Sequence, residues 1–362
     1  MKKLLLVSVL TCFAANAQAD EHKHHAKAAH HAVHHPAHHA KHAHRAHVAS
    51  HHAAHHAAVH HAAVHHATRH AALHHAAHHA VAQATDSKRV AMKLDNELST
   101  AEFQPASSPK LASSIALIYD EESQRPLYTK NPDAVAPIAS ITKLMTAMVV
   151  LDSNPDLNEE LSVDVADMDS LKGTHSRLSI GTTFIRSEMM KLALMSSENR
   201  AASVLARNYP GGTAAAVAAM NAKARQLGMM HTTFRDPTGL NSQNVSTARD
   251  LVKMVAAARN YKLIHQYTTT ATHSVEGVSG RELRFNNTNP LVKNASWEIG
   301  VSKTGFINEA GRCLVMQAQI RQRPVIIVLL DSVGKSTRIG DANRVKKWIE
   351  SSNALEHVAR RG

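Results

Sequence analysis

The chain has 362 residues, 44% of them hydrophobic and only 4% aromatic, with two cysteines and a formal charge of +12 when histidine is neutral. That is ample apolar material for a folded domain, while two cysteines exclude a disulfide framework. The positive balance suits an anionic partner, and the lack of aromatic-basic patches argues against nucleic acid.

The N-terminus reads as an address. Lys2-Lys3 is a short positive region, Leu4 to Ala15 is apolar, and Ala17-Gln18-Ala19 is a small-x-small cleavage site. Residues 1–19 are therefore expected to be a secretory signal peptide, cut before Asp20. The apolar run is too short to span a bilayer, and no other stretch is apolar enough to do so. Thr11 before Cys12 is too large for a lipidation site. Once Cys12 is removed, Cys313 is the only cysteine.

Residues 20–80 form a tract of His and Ala that holds twenty-five of the thirty histidines. Alanine buries little area, so the tract cannot build a core. Two main readings stay open. One is a low-complexity spacer whose charge rises as pH falls below about 6.5. The other is a helical tract in which imidazoles four apart, such as His51 and His55, His61 and His65, or His74 and His78, share a divalent Zn²⁺, Ni²⁺ or Cu²⁺. A polycation that binds surfaces at acid pH is a third. Residues 81–110 mix charges, Ser and Pro and read as a linker.

The folded domain is expected over 111–357, followed by a basic tail, 358–362. Ser114 to Asp120 predicts a buried strand, and Pro126 to Lys130 the strand that returns beside it. Ala139 to Leu151 predicts a helix, since the run after Pro137 is apolar and free of proline. Ile185 to Met195 and Asn199 to Arg207 predict two helices, interrupted at Ser196-Ser197. Thr213 to Leu227 predicts an Ala-rich helix stopped by Gly228. Asp236-Pro237-Thr238-Gly239-Leu240 is a turn. Thr247-Ala248-Arg249-Asp250 resembles a capping box that opens a helix to about Arg259. Strands return at Trp297 to Thr304, Cys313 to Ile320 and Val325 to Leu330, and Arg338 to about His357 is a closing helix. Strands, a helical block, then strands and a helix predict an α+β fold whose helices are inserted between two halves of one sheet.

Three short motifs carry chemistry. In Ser140-Ile141-Thr142-Lys143, one helical turn brings a hydroxyl and an amine together. Alone, this pattern is equally a helix cap beside a solvated lysine. A lysine buried among Ile138, Leu144 and Met145 could instead be neutral and take the hydroxyl's proton. Ser197-Glu198-Asn199 stands at a helix break, where Ser197 could relay a proton between Lys143 and a leaving amine and Asn199 could hold a peptide group. Lys303-Thr304-Gly305 is expected at the end of a strand. Lys303 would give fixed positive charge, Thr304 a donor for a carboxylate, and Gly305 room for a substrate backbone. The N–H groups of Phe306 and Ser140 would form an oxyanion hole. As ordinary structure, the second motif is a helix N-cap and the third a strand-end turn.

Ser-x-x-Lys, Ser-x-Asn and Lys-Thr-Gly in this order are known together from class A β-lactamases and penicillin-binding proteins. From Ser114 to Glu350 the chain resembles the D-alanyl-D-alanine carboxypeptidase family, peptidase family S11, most of all its D-alanyl-D-alanine endopeptidase branch. Four segments carry the likeness: Pro137 to Thr146, Ala193 to Ala202, Asp236 to Leu240, and Ser302 to Phe306. The resemblance implies a serine β-lactamase/transpeptidase-like fold, with a mostly antiparallel sheet and an inserted helical subdomain. It implies Ser140 as acyl-ester nucleophile, Lys143 as its proton acceptor and Ser197 as second catalytic hydroxyl. Asn199, Lys303, Thr304, Gly305 and Phe306 would hold substrate. No cofactor is implied and no metal in the catalytic site. The implied substrate is peptidoglycan stem peptide in the periplasm of a Gram-negative bacterium, with β-lactams as covalent inhibitors.

Many family carboxypeptidases carry a further β-rich domain and an amphipathic anchor. The few residues after the closing helix are too short for either, which favours the endopeptidase branch. A carboxypeptidase that trims pentapeptides is the enzymatic alternative, since both would use one acyl-enzyme. A wall- or metal-binding protein with a vestigial peptidase domain is the non-enzymatic one. The His/Ala tract lies outside the family pattern.

Overall fold

The computed structural model describes residues 108–351. The expectations for the signal peptide, the His/Ala tract with its paired histidines, all but the last residues of the linker, the basic tail, and the closing helix beyond Ser351 fall outside that range.

The chain opens with two antiparallel strands, β1 (Ile115–Asp120) and β2 (Arg125–Lys130). A helical block follows: α1 (Thr142–Asp152), α2 (Arg186–Met195), α3 (Asn199–Arg207), α4 (Gly212–Gln226), α5 (Ala248–Ala258) and α6 (Lys262–Thr268). The chain then returns to the sheet through β3 (Glu298–Ile307), β4 (Gly311–Ile320) and β5 (Arg323–Ser332), and closes with α7 (Thr337–Ser351). The sheet order is β2-β1-β5-β4-β3, with every pairing antiparallel. The first strand pair is thus joined to the last three through β1 and β5, and the helices are inserted between them.

Alternation within the strands sorts their side chains into two cores. Ile115, Leu117 and Tyr119 of β1, with Ile326, Val328 and Leu330 of β5, pack toward the helical block and Val255 of α5. Their neighbours Ala116, Ile118, Val325, Ile327 and Leu329 pack on the other face, against Val345, Trp348 and Ile349 of α7. A sheet covered on both faces explains why these strands read as continuous apolar runs.

Three differences from expectation have physical causes. The third-from-last strand runs on to Ile307, so Lys303-Thr304-Gly305 lies inside β3 rather than at its end. Thr247 does cap α5 by accepting from the Asp250 N–H, but the Asp250 carboxylate does not complete a capping box. It accepts instead from the His231 N–H and the Thr232 hydroxyl. Between Arg259 and Trp297 the sequence suggested nothing, yet α6 and an antiparallel hairpin (Thr272–Glu276 with Glu282–Asn286) occupy it. That hairpin is largely exposed and polar, so it carries little hydrophobic pattern to read.

Candidate active site

Ser140 sits where the chain turns out of a short strand pairing into the central helix. Pro137 pairs with Val245, and the Ile138 N–H donates to the Asn244 carbonyl. Ala139 then takes a left-handed backbone, φ 48°, and a tight 3₁₀ turn covers Ala139–Ile141 before α1 begins at Thr142. The expected helix start at Ala139 is therefore delayed by three residues. Nine residues of α1, Thr142 to Val150, are buried, as suits a helix apolar all round at the centre of a block.

Two glycines make this turn possible. Gly239 has φ +84°, and a Cβ there would lie 2.0 Å from the Ala139 carbonyl oxygen. A Cβ on Gly305 would lie 2.8 Å from the Ile138 oxygen and 3.1 Å from the Ser140 nitrogen. The room at Gly305 is thus taken up by the protein's own Ile138–Ser140 backbone, where the sequence had suggested a substrate. The same closeness brings the Ser140 N–H beside the Gly305–Phe306 segment of β3.

Lys143 is buried, and its Nζ lies 3.0 Å from Ser140 Oγ, 2.7 Å from Asn199 Oδ1 and 2.7 Å from the Thr238 carbonyl. Burial pulls its amine down to about 7, against Asp236 and then Glu198, which favour the charged form. A neutral amine has two hydrogens and one lone pair. Asn199 Oδ1 and the Thr238 carbonyl can only accept, so they take the hydrogens. Ser140 is the partner with a proton to give, and the lone pair is left for it.

The Thr238 carbonyl is presented by the Asp236-Pro237-Thr238-Gly239 turn, which wraps round the Asp236 carboxylate. That carboxylate accepts from the N–H groups of Thr238, Gly239 and Leu240 and from the Thr238 hydroxyl. Buried Asn244 ties the turn to α1, donating to the Asp236 carbonyl at 2.9 Å and to Thr142 Oγ1 at 3.0 Å.

Ser197 does lie at the break between α2 and α3, with φ 63°. Its hydroxyl oxygen accepts from Lys303 Nζ at 2.9 Å. The partner expected for it was Lys143. Lys303 is buried in β3 and also donates to the Thr304 carbonyl at 2.9 Å. Burial first, then Lys143 and then Arg338, push its amine well below the usual lysine range. Burial and these two cations thus work against the fixed positive charge expected of Lys303. Thr304 Oγ1 is bonded to the Thr288 hydroxyl at 2.6 Å. The Phe306 ring is half exposed, with the Arg312 guanidinium 4.3 Å above it.

The structure thus gathers Ser140, Lys143, Ser197, Asn199, Lys303, Thr304, Gly305 and Phe306 in one place, at the seam between the helical block and the edge strand β3. Sequence reasoning missed the Thr238 carbonyl and Asn244, although the turn that holds the first was legible. It also missed Thr174, whose Oγ1 accepts from Asn199 Nδ2 at 3.0 Å. Among the described residues, no three His, Cys, Asp or Glu side chains are grouped to hold a metal.

Known proteins resemble this chain in sequence and fold. A family model described as D-alanyl-D-alanine carboxypeptidase, peptidase S11, matches residues 100–334. A D-alanyl-D-alanine endopeptidase of Pseudomonas aeruginosa is 51% identical over 67% of this chain and 78% of its own length. One of Escherichia coli is 48% identical over 71% of this chain and 83% of its own. Among solved structures, the Streptomyces K15 DD-transpeptidase superposes with a TM-score of 0.62 at 27% identity, covering 67% of this chain and 98% of that one. A D-alanyl-D-alanine carboxypeptidase from Mycobacterium tuberculosis gives 0.62 at 28% identity, over 70% and 97%. The chain belongs to the D-alanyl-D-alanine carboxypeptidase family, peptidase S11.

Proposed function

We propose that the chain is a serine-type DD-endopeptidase that opens the D-alanyl cross-links of peptidoglycan through an acyl-enzyme, and that penicillins acylate the same serine. The observation that carries this reading is the Ser140–Lys143 contact, with both hydrogens of the neutral Lys143 amine engaged by acceptors. The relatives named D-alanyl-D-alanine endopeptidase support the choice within the family.

In this mechanism Lys143 takes the Ser140 proton as Oγ attacks the carbonyl carbon of the D-alanyl peptide bond. The N–H groups of Ser140 and Phe306 receive the developing oxyanion, helped by the start of α1. The C–N bond breaks, and a proton reaches the leaving amine by way of the Ser197 hydroxyl. Water, giving its proton to Lys143, then attacks the ester carbon, the bond to Ser140 Oγ breaks, and Oγ takes the proton back from Lys143. Lys303, Thr304 and Asn199 hold the substrate, and an arriving carboxylate would favour the charge that burial disfavours on Lys303. Every proton and electron pair is handled by these residues, so the proposal includes no cofactor. The same reading puts the protein in the periplasm, where the positive chain would adsorb to the anionic wall polymer.

Digesting purified cross-linked muropeptides and uncross-linked pentapeptides, then weighing the products, tests the preference. The proposal expects dimers to fall to monomers faster than terminal D-alanine is released. Release of D-alanine alone would make the protein a carboxypeptidase.

For the His/Ala tract we propose weak, multi-site binding of Zn²⁺ or Ni²⁺ through imidazoles four apart, such as His51 with His55. Calorimetric titration of the full chain and of a chain lacking residues 22–79 should show heat that depends on the tract and fades as pH falls through about 6. Equal heat from both chains would leave the tract a spacer.

A further inference from the structure

Asn199 can present either end of its amide to Lys143, and only one end serves the reaction. With Oδ1 inward, as here at 2.7 Å, the amide takes an amine hydrogen and leaves the lone pair to Ser140. Turned end for end, it would point an NH₂ at Lys143, and that donor would compete with Ser140 for the lone pair.

What fixes the amide lies on its outer side, in the loop between Asp169 and Thr174. Asn199 Nδ2 donates to Thr174 Oγ1 at 3.0 Å. The Thr174 hydroxyl donates to Asp169 Oδ2 at 2.7 Å. An ionised carboxylate only accepts, so the Thr174 hydrogen must point to Asp169 and its lone pair to Asn199. Burial alone would raise the Asp169 carboxyl. Hydrogen bonds from the Thr174 hydroxyl and the N–H groups of Thr174, Lys172 and Leu171 outweigh it and hold the carboxyl below its usual range. The Thr174 hydroxyl is therefore not free to reverse at working pH.

We infer that Thr174, locked by Asp169, is a positioning residue that fixes the Asn199 amide and so aims the Lys143 lone pair at Ser140. It acts through Asn199 and rests on the proposed role of Lys143 as base. The other charged groups that face Lys143 are Asp236 from the turn before Gly239, Glu198 ahead of α3, and Lys303 from β3. None of them changes in the test below. Thr174 is exposed, so replacing it leaves the core intact.

The test measures the rate of acylation of the full chain by a fluorescent penicillin from pH 5 to 9, for wild type, Thr174→Ser, Thr174→Ala and Thr174→Val. Acylation needs neutral Lys143, so the rate should rise with pH through an acidic limb. The serine variant keeps the hydroxyl and should match wild type. Valine puts a methyl where the acceptor stood, so its plateau should fall about tenfold. Alanine admits water in place of the hydroxyl and should fall between. In the valine protein the midpoint of the limb should also move to lower pH, because the ammonium form loses one of its three acceptors. Valine at the wild-type rate, or a lowered rate with an unmoved midpoint, would overturn the proposal. A wild-type protein that labels no better than Ser140→Ala would instead remove the proposed function on which it rests.

Discussion

The site holds two hydroxyl–amine pairs at nearly the same contact distance. Ser140 and Lys143 are 3.0 Å apart, Ser197 and Lys303 2.9 Å. Both lysines are buried, and burial pushes both amines down. Their surroundings separate them. Lys143 has two further acceptors and two acids, Asp236 and Glu198, that pull its amine back to about 7, where it can both take and give a proton. Lys303 has one backbone acceptor besides Ser197, and its charged neighbours are Lys143 and Arg338, which oppose a charge on it. Ser140 stands in the turn that opens α1, while Ser197 stands in a left-handed link between two helices. The contact distance is therefore uninformative, and the partners of the amine's remaining hydrogens decide which pair suits a base and nucleophile. The other pair suits binding an anion and passing a proton.

Three substitutions break this comparison by different amounts. The largest effect is expected from Lys143→Arg. Arginine keeps the charge but stays protonated, so it should be as damaging as Lys143→Ala, about 10³-fold in acylation rate. Acylation of the arginine protein at the wild-type rate, followed by mass spectrometry of the adduct, would hand the base role to another group. Ser197→Ala should cost less, about 10²-fold in peptide turnover, because it removes a relay and leaves the nucleophile and its base intact. A loss equal to that of Lys143→Arg would mean that the two pairs act as one. Gly239→Ala reaches the first pair through its scaffold. The added Cβ meets the Ala139 carbonyl at 2.0 Å from a backbone with φ +84°, so the variant should lose at least ~2 kcal/mol of stability. Thermal unfolding checks this, and an unchanged Tm would mean that the Ser140 turn is looser than described.

Much of this was legible in the sequence, for reasons visible in particular residues. The strands around Ile118 and Ile327 read clearly because both faces of the sheet are covered. The three motifs read clearly because each is short and local. Their pairing did not. Lys143 meets the Thr238 carbonyl 95 residues away, and Lys303 meets Ser197 at a separation of 106. Nothing local says which lysine faces which serine. Gly305 was recognisable as a glycine that admits a close backbone, but only the fold shows that the backbone is that of Ile138 and Ser140. Thr174 lies in an exposed loop with no pattern of its own, and its contact with Asn199 appears only once α3 is in place. Asp250 shows the reverse case, a correct helix start whose carboxylate is drawn to His231 and Thr232 by tertiary contacts.

The central claim is that Ser140, rather than Ser197, forms the covalent bond. The direct test is to acylate the full chain with penicillin, digest it, and locate the adduct by mass spectrometry. The account predicts one penicilloyl group per chain, on the peptide that contains Ser140, and none on the Ser140→Ala protein. An adduct on the peptide that contains Ser197, or one that persists in Ser140→Ala, would contradict it.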